Sequence, residues 1–188
     1  MKRRQFNSLF GCLAALALAS CSPTSRMDTL SSVAPSEYLL GPGDEVRVLA
    51  YGLDSFSSNY VVSDNGNLSL PLIGDVSAAG QSVGQIQKAI IEQLATKQIL
   101  LNPVVNVQVN QYRPFFVMGE VKKPGEYQFR PGTSVLNAIS MAGGYTFRAN
   151  TSKVAITRRR GDGSFTAAAT DNVVIQPGDT IRVFESWF

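Results

Sequence analysis

The sequence has 188 residues, and its formal charge of +3 comes entirely from Lys2, Arg3 and Arg4 at the N-terminus. From Cys21 onward basic and acidic side chains balance, which excludes a nucleic-acid partner recognised through overall basicity. The chain contains no histidine, so it lacks the commonest general base and metal ligand.

The first predicted element is a signal peptide over residues 1–20. A positively charged start is followed by an apolar run, Phe6–Leu18, that is too short to cross a bilayer as a folded helix. Small residues then lead into Cys21, in an order that resembles the lipobox of bacterial lipoproteins. The resemblance implies cleavage between Ser20 and Cys21 and acylation of the Cys21 thiol. An ordinary secretory signal with a chance cysteine is the alternative. Ser22 stands where an aspartate often marks retention in the inner membrane, which favours the outer membrane.

Residues 21–37 are predicted to form a flexible tether, because Ser, Thr and Pro are frequent there and no apolar period is present.

Cys12 leaves with the signal and Cys21 is acylated, so no thiol is expected to remain for a disulfide, a metal or catalysis. We expect ordered structure from Tyr38. Residues 21–188 suffice for one large core or two small ones.

The pattern from residue 38 to residue 111 predicts strands around one helix. Asn65-Gly66 predicts a hairpin turn between the second and third strands, because this dipeptide accepts positive φ angles. Ser82 and Gln85 have capping-box spacing before apolar residues that repeat every four positions, which predicts a helix over Val83–Thr96. The predicted strands are residues 45–51, 60–62, 68–70 and 105–109.

Residues 112–188 repeat this scheme of strands with one helix. Thr133 or Ser134 caps a predicted helix over residues 135–141. The predicted strands are residues 115–119, 126–129, 154–157, 165–167 and 181–184. Strand pairs with one helix in each half predict an α+β fold of two small units, joined near residues 111–114.

A Pro-Gly-Asp tripeptide precedes a predicted strand twice. Proline sets φ for the first turn position, glycine accepts the second, and the aspartate can accept hydrogen bonds from the next backbone amides before the strand starts. We therefore interpret both aspartates as turn-closing rather than catalytic residues. The structural turn residues are Gly41, Pro42, Gly43, Asp44, Pro177, Gly178 and Asp179.

Two polar segments leave alternatives open. The run from Arg158 to Arg160 predicts either a contact with an acidic polymer or a lipid phosphate, or the solvated end of a hairpin. Asn106, Gln108 and Asn110 share one strand face, which lies against a glycan or plain solvent.

An enzyme would need a nucleophile with a base, or paired carboxylates in a cleft, and no such set is recognisable. We predict a non-enzymatic protein without metal or cofactor, and no ligand-binding residue is assigned.

An ordered series of short motifs runs through residues 38–109. They are Tyr38-Leu39-Leu40-Gly41-Pro42-Gly43-Asp44-Glu45-Val46, Asp64-Asn65-Gly66, Leu70-Pro71-Leu72-Ile73-Gly74, Ala79-Gly80-Gln81-Ser82 and Pro103-Val104-Val105-Asn106-Val107. The series resembles the outer-membrane polysaccharide export family. From Phe115 the chain resembles the soluble-ligand-binding β-grasp (SLBB) module that follows in that family, through Val117-Met118-Gly119-Glu120-Val121, Pro124-Gly125-Glu126-Tyr127 and Ala142-Gly143-Gly144. The resemblance implies an N-terminal polysaccharide export domain over residues 38–111 and one SLBB domain over residues 112–188.

The resemblance also implies a periplasm-facing ring of outer-membrane lipoprotein subunits through which capsular polysaccharide or exopolysaccharide leaves the cell. An inner-membrane co-polymerase, or chain-length protein, is the implied partner. Larger members carry two β-grasp modules and a C-terminal amphipathic helix that lines a pore. This sequence has one module and stops directly after its last predicted strand, so we expect a separate outer-membrane barrel to complete the pore. The alternative is a periplasmic adaptor that binds a sugar or a partner protein through the β-grasp module without conducting polymer.

Overall fold

A computed structural model describes residues 27–30, 37–160 and 163–186. The strands in these ranges form three sheets, and the buried apolar side chains form two separate cores. Each half of the chain builds one α+β unit, which confirms the predicted fold class. The predicted cleavage and lipidation residues, Ser20 and Cys21, lie outside the described residues.

The first unit surrounds its core with a three-stranded antiparallel sheet, a two-stranded hairpin and helix α1. Strand β1 is central in the larger sheet, between β2 and β5, while β3 pairs with β4. Helix α1 lies against β5 and β4. The elements are β1 (Glu45–Ala50), a short 3₁₀ helix (Asp54–Phe56), β2 (Ser58–Val61), β3 (Asn67–Leu70), β4 (Gly74–Ser77), α1 (Val83–Thr96) and β5 (Val105–Gln111).

Helix α1 has the predicted bounds and the predicted cap. The Gln85 backbone N–H donates to Ser82 Oγ at 3.4 Å, and the Ser82 N–H donates to Gln85 Oε1 at 2.8 Å. Ile86, Ile90 and Leu94 are fully buried, so the four-residue period marks the face that meets the sheet. The capping-box and periodicity predictions are confirmed.

The hairpin predicted around Asn65-Gly66 is wrong. A turn forms there, with Gly66 at φ 83° and its N–H bonded to the Ser63 carbonyl. The strands on either side nevertheless join different sheets, because β2 pairs with β1 and β3 pairs with β4. Strand β4 was not predicted, since Val76 is its only buried residue and one apolar position gives no alternation to detect.

The second unit is a five-stranded mixed sheet with helix α2, in the order β7-β6-β10-β8-β9. Strand β10 is central, parallel to β6 and antiparallel to β8. Helix α2 is capped by Ser134, whose Oγ accepts from the Asn137 N–H at 3.2 Å, while Thr133 donates to the Arg130 carbonyl instead. The elements are β6 (Phe115–Gly119), β7 (Gly125–Tyr127), α2 (Val135–Met141), β8 (Val154–Arg160), β9 (Gly163–Ala169) and β10 (Thr180–Val183).

Residues 27–30 contact the second unit, although they lie inside the segment predicted as a flexible tether. Thr29 forms a parallel bridge with Ala168 of β9. The Leu30 N–H donates to the Ala168 carbonyl and the Ala168 N–H donates to the Asp28 carbonyl, both at 2.8 Å. The Leu30 side chain packs against the core of the second unit. Composition indicated disorder here, but the edge of β9 offers backbone partners that composition does not register.

Candidate functional site

The Asp44 carboxylate is fully buried in the turn before β1 and accepts four hydrogen bonds. Two come from nearby residues, the Gly41 N–H at 2.8 Å and the Tyr38 hydroxyl at 2.5 Å. The other two come from Arg113, through its backbone N–H at 2.8 Å and its Nη1 at 3.0 Å. Asp44 thus bonds within its own turn and also binds the segment that leaves the first unit.

The same arginine reaches the second Pro-Gly-Asp turn. Arg113 Nε donates to the Pro177 carbonyl at 3.2 Å, and the Gly178 N–H donates to the Pro114 carbonyl at 3.0 Å. One side chain therefore joins the turn before β1 to the turn before β10. We refer to Asp44, Arg113, Pro177 and Gly178 as the Arg113 clamp.

Asp179 is also fully buried, but it binds a different arginine. Its carboxylate accepts from the Gln176 N–H at 2.7 Å and, in a bidentate pair, from Arg158 Nε at 2.9 Å and Nη2 at 2.7 Å. The Arg158 side chain is only 14 % exposed. Arg158 therefore binds Asp179 within its own unit, and both alternatives predicted for the basic run are wrong for this residue. Arg159 is exposed.

Two glycines leave room for the Arg113 side chain between the turns. A Cβ placed on Gly41 would collide with Arg113 Nη1, and one placed on Gly178 would lie 2.8 Å from Arg113 Nε. Gly178 also has φ 82°, in the left-handed region that favours glycine. The Arg113 side chain thus needs the space beside Gly41 and Gly178, and Gly178 is favoured by its backbone geometry as well.

Aromatic rings flank the clamp and span the two units. The Tyr112 ring packs edge-on against Tyr38 of the first unit, with centroids 5.1 Å apart, and against Phe129 of the second, at 5.4 Å. The Arg113 guanidinium carbon lies 5.9 Å from the Tyr38 ring centroid, within cation–π range. These contacts add apolar surface to a joint that is otherwise made of hydrogen bonds.

Burial raises the pKa of the Tyr38 hydroxyl strongly, and its hydrogen bond to the Asp44 carboxylate raises that pKa further. Tyr38 is therefore protonated at neutral pH and acts as a donor. Arg113 supplies the positive charge opposite the buried Asp44 carboxylate. The arrangement suits a joint that fixes two units relative to each other.

The amide face noted in the sequence is an open surface of the first sheet. Asn106, Gln108 and Asn110 are all exposed on β5. Gln108 lies opposite Arg47 and Asn106 lies opposite Leu49, so a polar face with one apolar position continues onto β1. Whether a glycan or only solvent meets this face stays a prediction.

Within the described ranges, no group of His, Cys, Asp and Glu side chains is placed to hold a metal ion. No helix among those residues is long and apolar enough to cross a membrane. An open depression lies beside α1, lined by Ala89, Glu92, Gln93 and Thr96.

Two family models match the chain in the order of its two units. The model described as "Polysaccharide biosynthesis/export protein" matches residues 32–110, and the SLBB domain model matches residues 114–166. Together they match well over half of the chain. The chain belongs to the polysaccharide export family. The polysaccharide export model covers nearly all of the first unit, and the SLBB model covers residues 114–166 of the second. We therefore refer to the two units as the polysaccharide export domain and the SLBB domain, with the Arg113 clamp between them.

Curated relatives of this family include ExoF of Rhizobium meliloti, named an exopolysaccharide production protein, which is 36% identical over 70% of this chain and 32% of its own length. KpsD of Escherichia coli, a polysialic acid transport protein, is 33% identical over 57% of this chain and 20% of its own length. EpsA of Ralstonia nicotianae, named an EPS I polysaccharide export outer membrane protein, is 29% identical over 71% of this chain and 39% of its own length. The chain thus spans between a fifth and two fifths of these relatives.

Sequence reasoning missed the two arginines of the site. The sequence places Arg113 in the predicted connection and Arg158 in a basic run, and neither position indicates a buried carboxylate as its partner. The available signal was the repeated turn itself, since two buried carboxylates require two cationic partners. Arg113, a basic residue in the three-residue connection between β5 and β6, was the nearest candidate for one of them.

Proposed function

We propose that this chain is a non-enzymatic subunit of a polysaccharide export machine, anchored in the outer membrane through an acylated Cys21 and facing the periplasm. The observation that carries the proposal is the succession of a polysaccharide export domain and an SLBB domain. Relatives that match both parts of the chain bear names of polysaccharide production or outer-membrane export proteins. Polysaccharide is accordingly the proposed cargo, and an inner-membrane co-polymerase the proposed partner.

The Arg113 clamp supports an oligomeric conduit. Neighbouring subunits in a ring contact each other through two different surfaces, and the ring closes only if those surfaces keep a fixed angle. A charged hydrogen-bonded joint between the two domains holds such an angle within each subunit. We propose that the conduit is formed by assembly of several copies.

The amide face supports weak contact with a moving polymer. Asn106, Gln108 and Asn110 offer donors and acceptors that suit sugar hydroxyls. Exposed hydrogen bonds of this kind exchange readily with water, so each contributes little net free energy. Weak and repeated contacts let a glycan slide, whereas a tight site would retain it.

Deletion of the gene tests the export role. Surface and secreted polysaccharide should disappear while sugar-nucleotide pools stay intact, and the wild-type gene should restore the polymer. Complementation with Cys21→Ala should leave an unprocessed or misplaced protein that does not restore export, with Ser22→Ala as the matched control that does. Normal polymer in the deletion strain would refute the proposal.

The adaptor alternative has one observation in its favour. Phe116 and Met118 are 40% and 46% exposed on the outer face of the SLBB sheet, where a partner protein could bind them. Negative-stain images of the detergent-extracted protein distinguish the two functions. Rings of several subunits support the conduit, and monomers support the adaptor.

A further inference from the structure

Strand β5 forms an open edge of the first sheet. The sheet order is β2-β1-β5, and no other strand in the described ranges pairs with the far side of β5. The Tyr51 N–H donates to the Val104 carbonyl at 3.0 Å, which fixes the residues that bond across the ladder to β1. Because inward and outward backbone groups alternate along a strand, those of Val105, Val107 and Val109 point away from β1. Among the described residues, no hydrogen bond reaches these groups from outside the sheet.

The other edge strands are shorter than β5 or already paired. Strands β2, β3 and β4 have four residues each and β7 has three, while residues 27–30 occupy the edge of β9. All seven residues of β5 are uncharged and none is proline. The register shift opposite Glu45 lies beyond Val109 and leaves the valines in a regular strand. Short length, charge and proline are the usual protections of an edge, so β5 is the edge open to strand addition.

The sequence of β5 reads the same in both directions around Gln108. Val107 and Val109 lie one position away from it, and Asn106 and Asn110 lie two positions away. The three amide side chains are exposed on one face, whereas the valines face the core. Two copies of β5 that run antiparallel and are centred on Gln108 therefore place amide opposite amide and valine opposite valine. This register also sets Val107 opposite Val109 of the second copy, so the outward backbone groups meet each other. A self-complementary surface is what a two-fold contact requires.

From these observations we propose that β5 is a two-fold contact between two copies of this chain, paired antiparallel and centred on Gln108. The Val107 N–H donates to the Val109 carbonyl of the second copy, and the Val109 N–H donates to the Val107 carbonyl there. The joined sheet has the order β2-β1-β5-β5-β1-β2, with the exposed amides side by side across the joint. Gln111 takes no part, because its side chain donates to Gln128 of the SLBB domain at 3.4 Å.

This contact differs from the contact that closes a ring. A two-fold contact uses one surface twice, whereas neighbouring subunits of a ring meet through two different surfaces. Antiparallel pairing sends the two SLBB domains to opposite ends of the joined sheet, because β5 leads into that domain in each copy. Pairing thus covers the open edge of a free subunit, which otherwise invites irregular association. The proposal depends neither on the cargo nor on Cys21, so its failure leaves the proposed function standing.

Cysteine cross-linking tests the register. Residues 21–188 contain one cysteine, so Cys21→Ser gives a background without thiols. Residues opposed at a non-hydrogen-bonded position lie about 4.5 Å apart between Cα atoms, which a disulfide spans. Gln108→Cys should therefore oxidise to a disulfide-linked dimer. Asn106→Cys, on the same exposed face, should not, since the two copies of residue 106 lie about 13 Å apart along the strands. No dimer, equal cross-linking at both positions, or linkage of Gln108→Cys only to Asn59→Cys on β2 overturns the proposal.

Charge changes at Gln108 test the two-fold symmetry. In the proposed register residue 108 meets itself, so Gln108→Lys opposes two positive charges and Gln108→Glu opposes two negative ones. Each variant should dimerise about fivefold more weakly in sedimentation equilibrium at low salt, and an equal mixture of the two should restore dimerisation. Lys88→Glu, at an exposed position of α1, is the matched control and should leave dimerisation unchanged.

Circular dichroism checks that both variants are folded, because Arg47 lies opposite residue 108 within each copy. If folded variants dimerise no better in the mixture than alone, residue 108 does not meet itself and the proposal is wrong.

Discussion

Replacing Arg113 with alanine should both weaken the fold and uncouple the two domains. The change removes the Nη1 bond to the buried Asp44 carboxylate and the Nε bond to the Pro177 carbonyl. A hydrogen bond to a charged group is worth about 1.5–3 kcal/mol and one to a neutral carbonyl about 1 kcal/mol. The Arg113 side chain is 28% exposed, so water replaces part of both. We expect the free energy of unfolding to fall by about 2–3 kcal/mol.

Urea unfolding measured by fluorescence and circular dichroism gives this free energy. Without the clamp, the two cores should unfold in separate transitions with a lower apparent m-value. NMR relaxation should then show the domains tumbling at different rates. Arg158→Ala is the matched control, because it breaks the comparable pair with Asp179 inside the SLBB domain and should destabilise that domain without releasing the other. A change below about 0.5 kcal/mol in Arg113→Ala, with common tumbling preserved, would refute the role of the clamp.

Three further changes test other contacts. Gly41→Ala places a Cβ against Arg113 Nη1, so it should displace the guanidinium and cost about 1–3 kcal/mol in urea unfolding, an effect that should largely vanish in an Arg113→Ala background. Burial and the Asp44 bond raise the pKa of Tyr38 above its ordinary value of 10.0, so the unfolded chain loses this proton first and stability should fall as pH rises above about 10. Tyr38→Phe should lower stability at pH 7 by about 1–2 kcal/mol and flatten that alkaline decline; an unchanged pH profile would contradict the assignment. Leu94→Ala, in the fully buried stripe of α1, should cost about 2–5 kcal/mol of unfolding free energy, whereas a loss under 1 kcal/mol would place this face outside the core.

The elements predicted well are those whose signals are local. Helix α1 carries its start in Ser82 and Gln85 and its buried face in a regular apolar repeat, so its bounds follow from neighbouring residues alone. Strand β5 likewise follows from the alternation of valines with amides. Strand pairing is not local, because alternation tells which face of a strand is buried and not which strand lies beside it. The incorrect hairpin at Asn65-Gly66 has this origin.

The candidate site likewise combines local features that the sequence predicts with contacts between distant residues that it does not predict. A turn-closing role for Asp44 and Asp179 could be expected from a Pro-Gly-Asp tripeptide, but each carboxylate accepts from the backbone N–H three residues before it and not from the next amides. That Arg113 lies between the two turns depends on contacts between residues 69 positions apart, which no local pattern encodes. The bridge from Thr29 to Ala168 depends on an even longer separation. Sequence patterns therefore predicted the parts of the joint, and only the fold shows what connects them.

The position of β10 has a consequence for the order in which the molecule folds. It is the central strand of the SLBB sheet, yet it follows every other strand of that sheet along the chain. Strands β6 and β8 therefore cannot pair with β10, the strand between them, until residue 183 is available. That pairing closes loops of long sequence separation. The polysaccharide export domain needs nothing beyond residue 111 for its own sheets and folds first. During synthesis, the SLBB half of the chain thus stays open until nearly all of it is available, and the contacts between the two halves form last.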